Sequence, residues 1–277
     1  MPPEPRLATI ATVQQAISAL LLTYEPQFLN FGLNLFRAFA VILIAWYGLK
    51  MMFSQETVNT PEHVFGFAKL LMFISFGYAL IAFYESPIPG IGVSFSNLIT
   101  DQAANFANIL DARSLELTFD HLDNLWDRFV QPDTWAILPN LLYWLILIVI
   151  VLAKAAALFA ITFGMIATAV CGLLGPIFVP FLIVPQLDWL FWGWLKSFIQ
   201  FAMIQVVAFA YLMIFERFVF QFLTTVPNGI TEDLYLLYGV QSLVVIGTFA
   251  IGTLLIPSLT NSIFSGTGGL SVMRTHL

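Results

Sequence analysis

Lys154 is the side chain of this sequence with the most chemistry in the least hospitable place. It falls inside the apolar run that opens at Pro139, about ten residues past Trp144. An ionisable group at that depth in a membrane span is a functional candidate by default. It can line a polar conduit or meet an acidic lipid headgroup. A lysine that snorkels to the interface or pairs with a nearby carbonyl is the plainer reading. Gln200, Gln205 and Gln241 also interrupt apolar runs. They can line the same conduit or hydrogen-bond between helices. Glu216 and Arg217 are adjacent, so on a helix they point about 100° apart, and they read as a membrane-boundary pair.

Catalytic and metal chemistry find little support. The three histidines, His63, His121 and His276, stand on separate polar segments without a Cys or His at ligand spacing. No glycine-rich phosphate loop followed by Lys occurs, and no Ser–His–Asp set falls on neighbouring spans. Asp120-His121-x-Asp123 with Asp127 could take a divalent cation, but a solvated acidic helix face explains the same residues. The single Cys171 lies in an apolar run and reads as a small buried hydrophobe. The expectation is a chain without cofactor or metal that is not an enzyme.

The elements that must position these residues are membrane helices. Hydrophobic residues make up 60% of the 277-residue chain and charged residues only 9%, against about 25% charged in a soluble domain. Lipid must solvate part of such a chain. The apolar runs are continuous, not the alternating segments of a β-barrel. A net charge of −6 argues against a bulk electrostatic grip on nucleic acid. The fold class is therefore all-α: a polytopic transmembrane protein with about five spans, a broken Gly/Pro hinge and an extracytoplasmic helical loop.

Residues 1–33 read as an N-terminal amphipathic or interfacial segment ended by Pro26 and Asn30, without the pattern of a cleavable signal peptide. Residues 34–84 hold two spans, Asn34 to Phe53 and Phe65 to Tyr84. Residues 85–138 form an acidic loop with a helix pair: eight Asp or Glu stand against two Arg and no Lys. Residues 139–257 hold three spans with a hinge at 173–195, and residues 258–277 form a Ser/Gly-rich tail. In the first of these three spans Ala156, Ala160, Gly164, Thr168 and Gly172 recur at i+4 steps. Such a ridge of small residues lets another helix approach closely, and Gly164→Leu would separate a ring-forming subunit from a monomeric carrier. Gly175, Pro176, Pro180 and Pro185 rule out a regular helix through the hinge. The tryptophans at 189, 192 and 194 suit a headgroup boundary, the next span starts at Lys196, and Pro257 ends the last one. Lys50, Lys69, Lys196 and Arg274 then put the hinge and C-terminus in the cytoplasm and the N-terminus and acidic loop outside.

The hinge carries a resemblance. Gly175-Pro176-Ile-Phe-Val-Pro-Phe-Leu, then Trp189 to Trp194-Leu-Lys-Ser-Phe, then a long apolar helix, resembles the TrbL/VirB-type polytopic inner-membrane proteins of bacterial type IV secretion (conjugation) systems. The family's Gly-Pro turn falls on Gly175 and Pro176, and its tryptophan on Trp194. The resemblance implies an inner-membrane channel or scaffold subunit that supports passage of protein or single-stranded DNA and pilus biogenesis. It implies a homo-oligomeric ring, with five copies the expected number, and contacts with periplasmic stalk or pilus subunits, other inner-membrane secretion components, lipids and the transient substrate. The rival is a small-solute transporter built on Lys154 and the broken segment near Pro176; no internal repeat supports it.

Overall fold

The computed structural model describes residues 5–53, 61–109, 113–133 and 135–265. Among these residues the chain is helical, with short 3-10 turns, no strand, and one isolated parallel bridge between Phe129 and Ile230. The helices are α1 (Pro5–Phe53), α2 (Pro61–Ala82), α3 (Phe95–Ile109), α4 (Arg113–Asp127), α5 (Ile137–Phe178), α6 (Asp188–Thr225), α7 (Tyr235–Leu254) and α8 (Ile256–Ser265). Five stretches are long and apolar enough to cross a membrane: 12–53, 64–82, 137–183, 188–225 and 232–254. This is the all-α, multi-span class that the composition demands. His276, Arg274, the side chain of His63 and most of the 54–64 linker lie outside the described residues.

Four expected boundaries move. Pro26 does not end the N-terminal helix; α1 runs through it. The proline forfeits one bond, to the Leu22 carbonyl, in a helix long enough to keep the rest. The helix before the hinge does not stop at Gly172 either, but continues through Gly175 and Pro176 to Phe178. A 3-10 segment, Val179–Ile183, opens with Pro180 in its first turn. The connector is thus confined to 179–187, and the tryptophan cluster belongs to the first turns of α6, which starts at Asp188 and not at Lys196. An acid at that position suits a helix N-terminus. Finally, α7 stops at Leu254, and Pro257 sits in the first turn of α8, where a proline's missing N–H costs nothing. Residues 258–265 are therefore helix and not loose tail.

The chain packs as two units. The first holds residues 1–102 and 166–199; the second holds 103–165 and 200–277. In the first, α1 and α2 pair antiparallel, with Tyr47 against Gly66 and Phe36 against Gly77. The 3-10 segment fills the gap at one end of this hairpin: Val179, Leu182 and Ile183 pack with Phe36, Ile81 and Tyr84. In the second, α4 buries Leu115, Phe119, Leu122 and Leu125. Gly239 of α7 lies against Leu142 and Ile146 of α5, and Phe249 of α7 stacks on Phe215 of α6 at 4.3 Å between centroids.

One finding corrects the expected orientation. Tyr84, the outer end of the second span in that reading, hydrogen-bonds Gly172 at the start of the hinge, expected inside, at 2.6 Å. Two groups in hydrogen-bond contact cannot stand on opposite faces of a hydrocarbon core about 30 Å thick. The loop that begins at Glu85 and the hinge therefore start at one level, and the expected opposition of the two termini loses its basis.

Candidate functional site

The Gly175–Pro176 motif sits in the first unit, and its geometry explains its residues. Proline has no N–H, so Pro176 leaves the carbonyl four residues back, on Gly172, without its helical donor. Tyr84 Oη donates to that carbonyl. Trp194 Nε1 donates to the preceding carbonyl, on Cys171, at 2.8 Å. Two side chains from distant elements thus fasten the turn that the proline weakens. A Cβ on residue 175 would lie 1.8 Å from Tyr84 Oη, so only glycine fits beside this tyrosine. Gly32 of α1 meets the next residue: a Cβ there would lie 2.1 Å from the Pro176 carbonyl oxygen. That carbonyl would look to the N–H of residue 180, which is again proline, so it is free to face the α1 backbone. Trp194 also stacks on Phe178 and Phe198.

The electrostatics of this corner follow from burial. Burial first, and then the charges of Glu85, Glu25 and Cys171, push the Tyr84 hydroxyl well above its ordinary range, so it stays a donor. Burial, and next the charge of Glu25, raises the Glu85 carboxyl to about 7. Glu85 Oε1 is buried and has no hydrogen-bond partner.

In the second unit the polar side chains fasten α4 to the bundle. Lys154 of α5 forms an ion pair with Asp123 and lies 5.6 Å from the centre of the Phe119 ring. His121 Nδ1 stands 3.8 Å from Glu216 Oε1 of α6. Arg128 donates to the carbonyls of Leu223 (2.7 Å) and Val226 at the end of α6, a cation where the helix dipole favours one. Tyr235 Oη donates to the Val130 carbonyl, and Glu232 accepts from the Asp133 amide at 2.7 Å. Grooves of about 490 and 400 Å³ flank His121 between α4 and α6. No group of three or more His, Cys, Asp or Glu able to hold a metal occurs among the described residues.

The residues singled out from the sequence fall as follows. Gly175, Pro176 and Trp194 come together with Tyr84 and Gly172 in one corner. Gly164 faces α6, where a Cβ would meet Ile204 at 3.0 Å and Gln205 at 3.2 Å; Ala156 and Ala160 are also buried in that unit. Thr168 is buried in the first unit, and Gly172 lies 3.8 Å from Phe198 there by the same measure. At Gly164 and Gly172 the ridge serves packing within one chain, so Gly164→Leu would strike the fold before any assembly and cannot separate a ring from a monomer. Of the conduit candidates, Lys154 is engaged by Asp123, Gln200 and Gln205 are half-buried, and Gln241 is exposed on α7. Tyr84 and Gly32 carried no signal of their own, since their partners lie far along the chain. Asp123 was visible only as part of an acidic face, not as the partner of a lysine in an apolar span.

The family model of the TrbL/VirB6 plasmid conjugal transfer protein matches residues 40–259, which include Tyr84, Gly172, Gly175, Pro176 and Trp194 but not Gly32. The chain belongs to that family. Among curated proteins none matches it. As a TrbL/VirB6 protein it is a multi-pass membrane component of conjugal transfer, or type IV secretion, machinery.

Proposed function

We propose that this chain is a non-enzymatic channel or scaffold subunit of the inner-membrane platform of a type IV secretion system. It supports translocation of protein or single-stranded DNA and the building of the pilus. The observation that carries the reading is the family match over residues 40–259. A helical, multi-span chain supports it. The subunit works as a homo-oligomeric ring, expected to hold five copies. The polar surface of the 85–138 segment meets substrate, and the C-terminus is cytoplasmic, in keeping with Lys196 and Arg274.

Purification of the tagged protein in mild detergent from its native host tests this. Secretion ATPases and stalk or pilus subunits should accompany it, in a particle several times the 31.0 kDa of one chain. A lone protein, under conditions where another envelope complex survives, refutes the secretion platform and returns attention to Lys154 and a solute path.

A further inference from the structure

We infer that the free face of α4 is turned to water at the depth of the bilayer, where it lines an acidic passage closed by further copies of this chain. The inference rests on the translocation reading and names the surface that cargo meets. Its premises all lie within the second unit.

The level of α4 is fixed by its contacts. Trp126 packs on Tyr143 with 4.0 Å between ring centroids, and Asp123 pairs with Lys154. Helix α4 therefore lies beside α5 from Tyr143 to Lys154, a stretch of about 16 Å at 1.5 Å per residue. Along that stretch α5 shows another face that is wholly apolar and open: Trp144, Ile148, Val151 and Leu152 are 53% to 59% exposed. A contiguous surface of this kind is solvated by lipid. On α4, at the same level, Asp120, Asn124 and Asp127 are exposed.

One stretch of the bundle thus presents hydrocarbon-type surface on one side and carboxylates on another. Charged side chains at that depth face a bundle interior or a water-filled cavity, not lipid. Among the described residues of this unit none covers Asp120 or Asp127, which are exposed, so the cavity is completed by neighbouring copies. Its lining is acidic on balance: α4 carries Glu116, Asp120, Asp123 and Asp127 against Arg113, Lys154 answers one of them, and Arg128 and Arg217 stand in the grooves beside it, Arg217 next to Glu216. Such a lining concentrates cations and repels polyanions. The cargo it suits is an extended polypeptide rich in basic residues, rather than bare nucleic acid.

Single-cysteine variants in a Cys171→Ser background test this in membranes of the native host. Asp120→Cys and Asp127→Cys are compared with Ile148→Cys and Val151→Cys, with Asn124→Cys held as a substitute where an aspartate variant fails to insert. The α4 positions should react with a charged thiosulfonate at least tenfold faster than the α5 positions. A bimane on position 148 or 151 should be quenched by nitroxide on lipid tails. At position 120 the cationic thiosulfonate should exceed the anionic one beyond their ratio on free thiol, and Asp127→Asn should shrink that excess. Equal, fast labelling of α4 and α5 places this stretch outside the bilayer and overturns the inference. So does an α4 position closed to the charged reagents, or an unbiased reagent ratio. Any of these results in membranes whose protein still co-purifies with its secretion partners sinks the passage and leaves the secretion reading standing.

Discussion

Tyr84 holds the Gly175–Pro176 turn together from outside it. Its hydroxyl replaces the donor that Pro176 lacks, and its ring leaves no room for a Cβ at Gly175. Tyr84→Phe should therefore cost about 1–2 kcal/mol, the price of an orphaned buried carbonyl. Gly175→Ala should cost about 1–3 kcal/mol or more by overpacking. Thermal melts in one detergent check both, and Tyr84→Phe should not rescue Gly175→Ala, because a Cβ would still lie 2.2 Å from the ring carbon Cζ. Glu85 gives a pH signature. Its carboxyl is raised in the folded state to about 7 by burial and by Glu25. Its stabilising share is complete below the unfolded value and is lost as pH climbs toward the folded one. The melting temperature should fall between about pH 4.5 and pH 7, and Glu85→Gln should flatten that fall; a rise through the window would contradict the assignment. The motif itself was legible in the sequence, because Gly and Pro punctuate backbone wherever they occur. The tyrosine that makes the motif work was not, because 88 residues separate it from the carbonyl it serves.

Helix α4 shows the same division between what pattern reveals and what it hides. Its acidic face and an apolar stripe of Leu115, Phe119, Leu122, Trp126 and Phe129 can be read from spacing alone, and the structure buries that stripe except Trp126, which is half-buried. Its partner helix cannot be read so, since an ion pair between α4 and α5 leaves no periodic trace. Lys154 and Asp123 should be coupled. Lys154→Met and Asp123→Asn should each destabilise, and the double variant should recover about 1–2 kcal/mol of the summed loss, a figure lowered because Asp123 is 43% exposed. A double-mutant cycle by denaturant or heat measures it, and strict additivity would mean that the contact contributes nothing. In α5 the local rule that proline breaks helices gave the wrong end point. The rule concerns a missing donor, and here a side chain from elsewhere supplies one. The small-residue ridge was likewise visible as packing, while the identity of the neighbour at Gly164, α6 of the same chain, required the fold.

For the whole molecule, crossing the bilayer is the property that sequence described least well. Hydropathy found five long apolar helices, but charge bias put the two ends of one hydrogen bond on opposite faces. The structure predicts that cysteines introduced at Gly90 and Gln186, both exposed, report the same side to a membrane-impermeant maleimide. Labelling from opposite sides would show that the Tyr84–Gly172 contact does not exist in the membrane. The order of the two units along the chain bears on synthesis. The first unit needs residues 166–199 to fill the core that α1 and α2 leave open. A ribosome adds about 5–20 residues per second, so the finished hairpin waits for seconds with Phe36, Ile81 and Tyr84 uncovered. During that interval lipid or an insertion factor must stand in for the missing segment. A truncation after residue 165 would expose the same face permanently and make the nascent chain a substrate for membrane quality control.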